Sequence, residues 1–293
     1  MDIKQLTYFI SAARHENFTR AAQECFIVQT AMTHQMAALE RELGVQLFAR
    51  SNRRVKLTPA GEVFWGQARR IVQSAEDASL LARAAAEGAK RILRIGCCGR
   101  LLRSSLPRAL RAFSTQSPDV KVAISHGNLA GLLDQLDLGL TDCIITLEYP
   151  YLSLLDWLES EILGTDRLMV AMRRENPLSS RPKLTTADLA NEPYILYRER
   201  GAAEKILSHA GEDAPINITA EVEDAESTEI LVEAGFGISF ALEHVCDRTN
   251  PNMAYVPFEG EGGQARLLLC WNKRHPQEDI RGFAGTLQKH ISL

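Results

Sequence analysis

The chain has 293 residues, 45% of them hydrophobic and 24% charged, which suits a globular protein with two or three packed units. No run approaches the ~20 apolar residues that span a bilayer, and the first residues lack the layout of a secretory signal, so a cytoplasmic protein with no membrane partner is expected. The net charge of −4 hides an asymmetry: residues 1–60 hold eight Lys or Arg against five Asp or Glu, whereas residues 91–293 carry −7, so only the N-terminal part suits a polyanion.

Residues 18–25 read as a short helix in which Ala21 and Ala22 let a neighbouring helix approach closely. A break at Phe26, Ile27 and Val28 follows. The next helix runs from Gln29, with Met32, Met36, Leu39 and Leu43 on its inner face at spacings of three and four. Its other face carries Gln29, Thr30, Thr33 and His34, short polar groups and an imidazole that can reach base edges in a major groove. Two short extended runs then flank Ser51 and Asn52, a hairpin whose Arg50, Arg53, Arg54 and Lys56 suit phosphates or a minor groove. Taken singly, each feature has a plainer reading as a packed helix or a solvated turn. Their order and spacing together point to duplex DNA.

Residues 18–61, FTRAAQECFIVQTAMTHQMAALERELGVQLFARSNRRVKLTPAG, resemble the winged helix-turn-helix of LysR-type transcriptional regulators. LERELGVQLFAR and LTPAG are the most specific parts of the match, and the rest of the chain fits the family's size and layout. The resemblance puts the groove-reading positions on Gln29, Thr30, Thr33 and His34, with Arg53 in the wing. Two positions depart from the family pattern. Val28 stands where Ser or Thr is usual and cannot cap the helix, a loss of about 1 kcal/mol. His34 replaces a commoner Arg.

Thr58 and Pro59 start a further helix, through about residue 88. Phe64, Ala68, Ile71, Ala75, Ala78 and Ala82 alternate four- and three-residue steps, a small-residue seam suited to pairing two chains. A helix lying on its own domain is the alternative. The resemblance favours a dimer through this helix, and a tetramer.

From Arg91 onward strand-like and helix-like segments alternate, the pattern of βαβ units. The whole is expected to be an N-terminal all-α winged helix-turn-helix (1–58), a linker helix and hinge (59–90), and a two-lobed α/β effector domain resembling periplasmic binding proteins (91–293). The first lobe would comprise 91–162 and 267–293, the second 163–266. Open α/β sheets take ligands at the carboxyl ends of their strands. This rule selects the segments around Cys98 and Arg100, around Asn128, around Arg198 and Arg200, and around Ser227. The resemblance implies effector-contacting loops there, fitting Arg100, Asn128 and Ser227 best. Arg100 with Arg198 or Arg200 would clamp a small anion such as a carboxylate, unless these arginines are solvated or paired with Glu148 and Glu199.

Six cysteines offer a rival reading. Cys97 and Cys98 read as opening a helix beside Arg100, a setting that lowers a thiol's pKa, so a thiol-based redox regulator is the alternative. No paired Cys/His spacing suggests a metal. Dinucleotide, phosphate-loop, nucleophile-elbow and zinc-protease motifs are missing, so neither a cofactor nor catalysis is expected. A binding protein or enzyme without a gene-regulatory role is the reading from a different class.

Overall fold

The structure, a computed structural model, describes residues 1–51, 54–85, 90–99, 101–102, 105–197, 217–222, 224–260, 262–275 and 278–291, without the side chains of Arg50, Ser51, Arg54 and Ala84. It divides into two compact units, Met1–Arg91 and Ile92–Leu293.

In the first unit Asp2 opens α1 (Ile3–His15) by accepting the Gln5 amide at 2.7 Å, and Asn17 opens α2 (Phe18–Glu24) through the amides of Thr19 and Arg20. These side chains satisfy amides that have no partner inside the helix. After a turn comes α3 (Gln29–Leu43), which ends on Gly44 at φ 71°, a conformation that suits glycine. Strands β1 (Phe48–Ser51) and β2 (Arg54–Leu57) pair antiparallel with Phe48 opposite Leu57, and α4 (Pro59–Ala85) follows. Phe9, Met32, Met36 and Leu39 are at most 1% exposed, and the Phe9 ring lies 5.4 Å from that of Phe48 and 5.0 Å from that of Phe64.

The fold divides the expected seam of α4. Phe64 and the fully buried Ala68 close the core of their own unit together with Trp65 and Val72, because α4 lies along α1. Ala75 is half-buried, whereas Ile71, Ala78 and Ala82 stay exposed. Of the expected seam, only the part from Ile71 onward is therefore left uncovered by its own unit.

The second unit contains β3 (Arg91–Cys98), α5 (Leu106–Gln116), β4 (Val120–Gly127), α6 (Leu129–Asp137), β5 (Cys143–Leu147), β6 (Leu158–Arg173) and α7 (Thr186–Leu189). There follow β7 (Pro193–Tyr197), β8 (Asn217–Val222), α8 (Ala225–Glu233), β9 (Ser239–Leu242), β10 (Met253–Pro257), β11 (Gln264–Asn272) and α9 (Glu278–His290). Seven strands share one sheet in the order β10-β6-β11-β5-β3-β4 with β9 also on β6, and β7 and β8 pair parallel beside it. Helices α5 and α9 cover one face of the first lobe, where Phe113 and Phe283 meet edge-on at 5.4 Å. Leu129, Leu132 and Leu136 of α6 belong to a separate buried cluster with Ile144 and Leu268.

β6 joins the lobes. Through Arg167 it pairs with β11, and from Leu168 it pairs with β9 and β10. Its first half, LESEILGTD, is largely polar and does not read as a strand, so its length goes unexpected in the sequence. β10 is likewise unexpected, a short run between Asn-Pro-Asn and Pro257. No helix among the described residues is long and apolar enough to cross a membrane.

Candidate DNA-reading face and inter-lobe cavity

Ala21 of α2 is fully buried and Ala22 is 2% exposed, so the helix seats closely in the core that also holds α3. That packing turns Gln29, Thr30 and His34 outward, where they are exposed. Thr33 is half-buried, and its Oγ1 donates to the Gln29 carbonyl at 3.1 Å. All four candidates thus share the outward side of one helix. Val28 has no side-chain hydrogen bond to the start of α3, and it stands 68% exposed beside Phe26, which is 96% exposed. We expect Val28→Ser to raise the unfolding free energy by about 1 kcal/mol, because the new hydroxyl can accept an orphan amide. Urea denaturation with an unchanged midpoint would contradict this.

Glu40 is a residue that the sequence reading missed. Its Oε1 accepts the amides of Leu47 at 2.8 Å and Phe48 at 3.0 Å, fastening the start of β1 to α3. The hairpin is present, with Arg50 opposite Val55 and Ser51 opposite Arg54. The side chains of Arg50 and Arg54, and Arg53 as a whole, lie outside the described residues.

In the second unit a cavity of about 170 Å³ opens between the lobes at the carboxyl ends of β3, β5 and β7. From the first lobe it is lined by Cys98, Gly99, Leu101, Leu147 and Tyr149, and from the second by residues of α8, β6, β7, β9 and β10. Tyr149, Tyr194, Tyr197 and Tyr255, four of the chain's six tyrosines, line it. Burial pushes the Tyr255 phenol up to about 12, aided by the neighbouring carboxylates of Glu229 and Asp247. Tyr194 is raised by burial, against hydrogen bonds from Ser239 and Phe240.

The candidate effector residues are distributed unevenly. Cys98 lines the cavity. Asn128 is exposed and caps α6, its oxygen accepting the Gly131 amide at 2.9 Å, and it is not part of the lining. Ser227 also misses the cavity, because its hydroxyl donates to Asp224 at 2.6 Å at the start of α8. The lining face of that helix is Ala225, Thr228, Glu229 and Val232, one stripe at helical spacing. Arg100, Arg198 and Arg200 lie outside the described residues, and Glu148 pairs with Arg266 at 3.2 Å.

The thiol expectation needs correction. β3 runs through Cys98, so Cys97 and Cys98 end a strand and do not open a helix. Cys97 is fully buried, and burial pushes its thiol up to about 11, the reverse of activation. Cys98 is 4% exposed and faces the cavity. Burial also raises Cys143, and it raises Cys270 to about 12. Among the described residues no group of three His, Cys, Asp or Glu could hold a metal ion.

Comparison with known proteins places both halves. Residues 3–62 match the bacterial regulatory helix-turn-helix protein, lysR family, and residues 86–292 match the LysR substrate binding domain. The chain is 28% identical over 291 residues to the transcriptional regulator ClcR of Pseudomonas putida, covering 98% of each chain. It is 32% identical to the regulator YnfL of Escherichia coli (strain K12), over 94% of each. The crystal structure of CbnR, a LysR family transcriptional regulator, superposes with a TM-score of 0.73 at 27% identity over 100% of both chains. CbnR has also been crystallised full-length with its target DNA, and that structure matches with a TM-score of 0.72 at 27% identity over 99% of this chain and 100% of the other.

Proposed function

The chain belongs to the LysR family of DNA-binding transcriptional regulators with an effector-binding α/β domain, and we propose that it reads DNA through Gln29, Thr30, Thr33 and His34. The observation that carries this is their common outward side on α3, beside a hairpin whose strands hold Arg50, Arg54 and Lys56. Arg50, Arg53 and Arg54 would meet the phosphates or the minor groove. Two copies pairing through the exposed later turns of α4 would set two reading helices on one operator, and pairs of dimers would give a tetramer.

The cavity is the site for the effector in this reading. Its aromatic and apolar lining suits a small molecule with an apolar body, since engineered cavities of about 150 Å³ accept a benzene-sized ring. An acidic group, a carboxylate, would be taken by Arg100 with Arg198 or Arg200. Binding one lobe arrangement better than another by about 1–3 kcal/mol would change DNA occupancy about 5- to 150-fold.

Selection of genomic fragments by the purified chain, with and without a panel of small carboxylates, tests this. Enrichment of a few sites with imperfect dyad symmetry is expected. Arg53→Ala should weaken binding to every sequence and lower the salt slope by about one, whereas Thr33→Ala and His34→Ala should change which sites are chosen. Equal losses on specific and random DNA for all three variants would overturn the division of roles.

A further inference from the structure

Beside the cavity one imidazole ties three segments together. His244 belongs to the short 3-10 turn Glu243–Val245 of the second lobe. Its Nδ1 lies 2.5 Å from Oδ2 of Asp166 on β6, and its backbone amide donates to the same oxygen at 3.2 Å. On the other side of the ring, Nε2 accepts the backbone amide of Leu102, from the first lobe, at 3.3 Å. The side chains of His244 and Asp166 are only 4% and 2% exposed. Leu102 is fully buried and held at φ 61°, a conformation that a branched side chain rarely adopts. Leu101 lines the cavity immediately before Leu102, and Val245 and Cys246 line it immediately after His244.

The partners dictate the ring's protonation. An ionised carboxylate only accepts, so Nδ1 carries a proton; a backbone amide only donates, so Nε2 must offer its lone pair. The neutral Nδ1–H tautomer satisfies both. A second proton, on Nε2, sets N–H against N–H and breaks the bond to the first lobe, while the ring's attraction to Asp166 grows. Among the described residues, titratable or charged groups nearby include Arg167 on β6, Glu243 on the turn, Cys246, Asp247 and Arg248 after it, Glu229 on α8 and Tyr255 on β10. Arg167 and Arg248 both engage Glu243, at 3.4 and 2.8 Å, which leaves Asp166 as the charge bonded to the ring.

We propose that His244 is a proton-operated latch between the lobes: neutral, it holds the cavity wall at Leu101 and Leu102 against the second lobe, and protonated it lets that wall go. The regulator then reads acidity as well as its effector. The latch is read out without an effector, so it stands or falls separately from the ligand reading.

Hydrogen exchange at the Leu102 amide, followed by mass spectrometry on the full chain and corrected for the intrinsic rate, tests this. As pH is lowered from about 8 to about 5.5, protection should fall about tenfold or more. Asp166→Asn keeps an oxygen for Nδ1–H but removes the charge that favours the second proton. Its transition should move about one pH unit or more downward. His244→Phe keeps a ring but no acceptor, and should leave Leu102 weakly protected at both ends of the range. Should that variant fail to fold, the native profile and the Asp166→Asn shift decide. Protection that is independent of pH in the native chain, or a transition at the same pH in Asp166→Asn, would overturn the latch, because a purely structural histidine predicts the first and a transition set by another group predicts the second.

Discussion

Replacing Asp166 with alanine is expected to destabilise the C-terminal unit by about 3–5 kcal/mol at neutral pH, because three donors lose one buried, charged acceptor. Asp166 is 3% exposed and accepts three hydrogen bonds: from His244 Nδ1 at 2.5 Å, from the His244 amide at 3.2 Å and from the Arg167 amide at 2.8 Å. Alanine would leave those donors facing a void, and each buried orphan costs about 1–3 kcal/mol. The dependence on pH has a definite sign. Burial pushes the Asp166 carboxyl up, but the hydrogen bonds from His244 and Arg167 outweigh it and hold the group below its ordinary value of 3.8. A depressed carboxyl contributes stability that is fully present above its unfolded pKa and is lost as pH falls through its folded pKa. The deficit of Asp166→Ala should therefore be full at neutral pH and shrink once pH drops below about 4. Guanidinium unfolding at several pH values reads this directly. A deficit that grows as pH falls below about 4 would refute the assignment.

How much of this was legible before folding depends on the distance between partners. The reading face of α3 was legible because helical periodicity is local: Met32, Met36 and Leu39 turn inward, so Gln29, Thr30 and His34 must turn outward. Glu40 was not, because in LERELG it looks like a solvated acid until the chain returns and offers it the amides of Leu47 and Phe48. The cavity was legible as a rule about strand ends, and Cys98 and Tyr197 do fall there. Its chemistry was less so. Ser227 was chosen one position away from Thr228, because a serine near a helix start serves a cap as readily as a ligand, and here Asp224 takes its hydroxyl. The stripe of residues 225, 228, 229 and 232 was the better signal. The tyrosines come from the loop after β5, from β7 and from β10, and Asp166 meets His244 across 78 residues, so no local pattern announces either. Cys97 was misjudged for a simpler reason. A strand that runs on through Cys98 buries a thiol that a helix start would have activated.

Gly61→Ala should be the most damaging single-methyl change in the N-terminal unit, costing about 3 kcal/mol or more as an overpacking defect. Gly61 lies in the first turn of α4, and a Cβ there would sit 2.1 Å from the Leu47 carbonyl oxygen and 3.0 Å from Cδ2 of Leu57. The oxygen cannot step aside, because it already accepts the Thr58 amide at 2.9 Å. Nor can the turn rotate freely. Thr58 Oγ1 donates to the Gln46 carbonyl at 2.7 Å and accepts the Gly61 amide at 3.0 Å. The closing glycine of LTPAG is thus a steric requirement where α4 crosses the root of the hairpin. Relief would come by moving β1 away from α4, which also strains the Glu40 bonds and turns the wing relative to α3. For a unit of this size about 3 kcal/mol corresponds to a fall in melting temperature of roughly 12 °C or more, and DNA binding should weaken with it. Gly282→Ala is the control, since a Cβ there meets nothing within 4 Å in the helix α9. It should stabilise by about 0.5–1 kcal/mol through helix propensity alone. If the two alanines shift the melting curve by similar small amounts, close packing at Leu47 is not what position 61 is for.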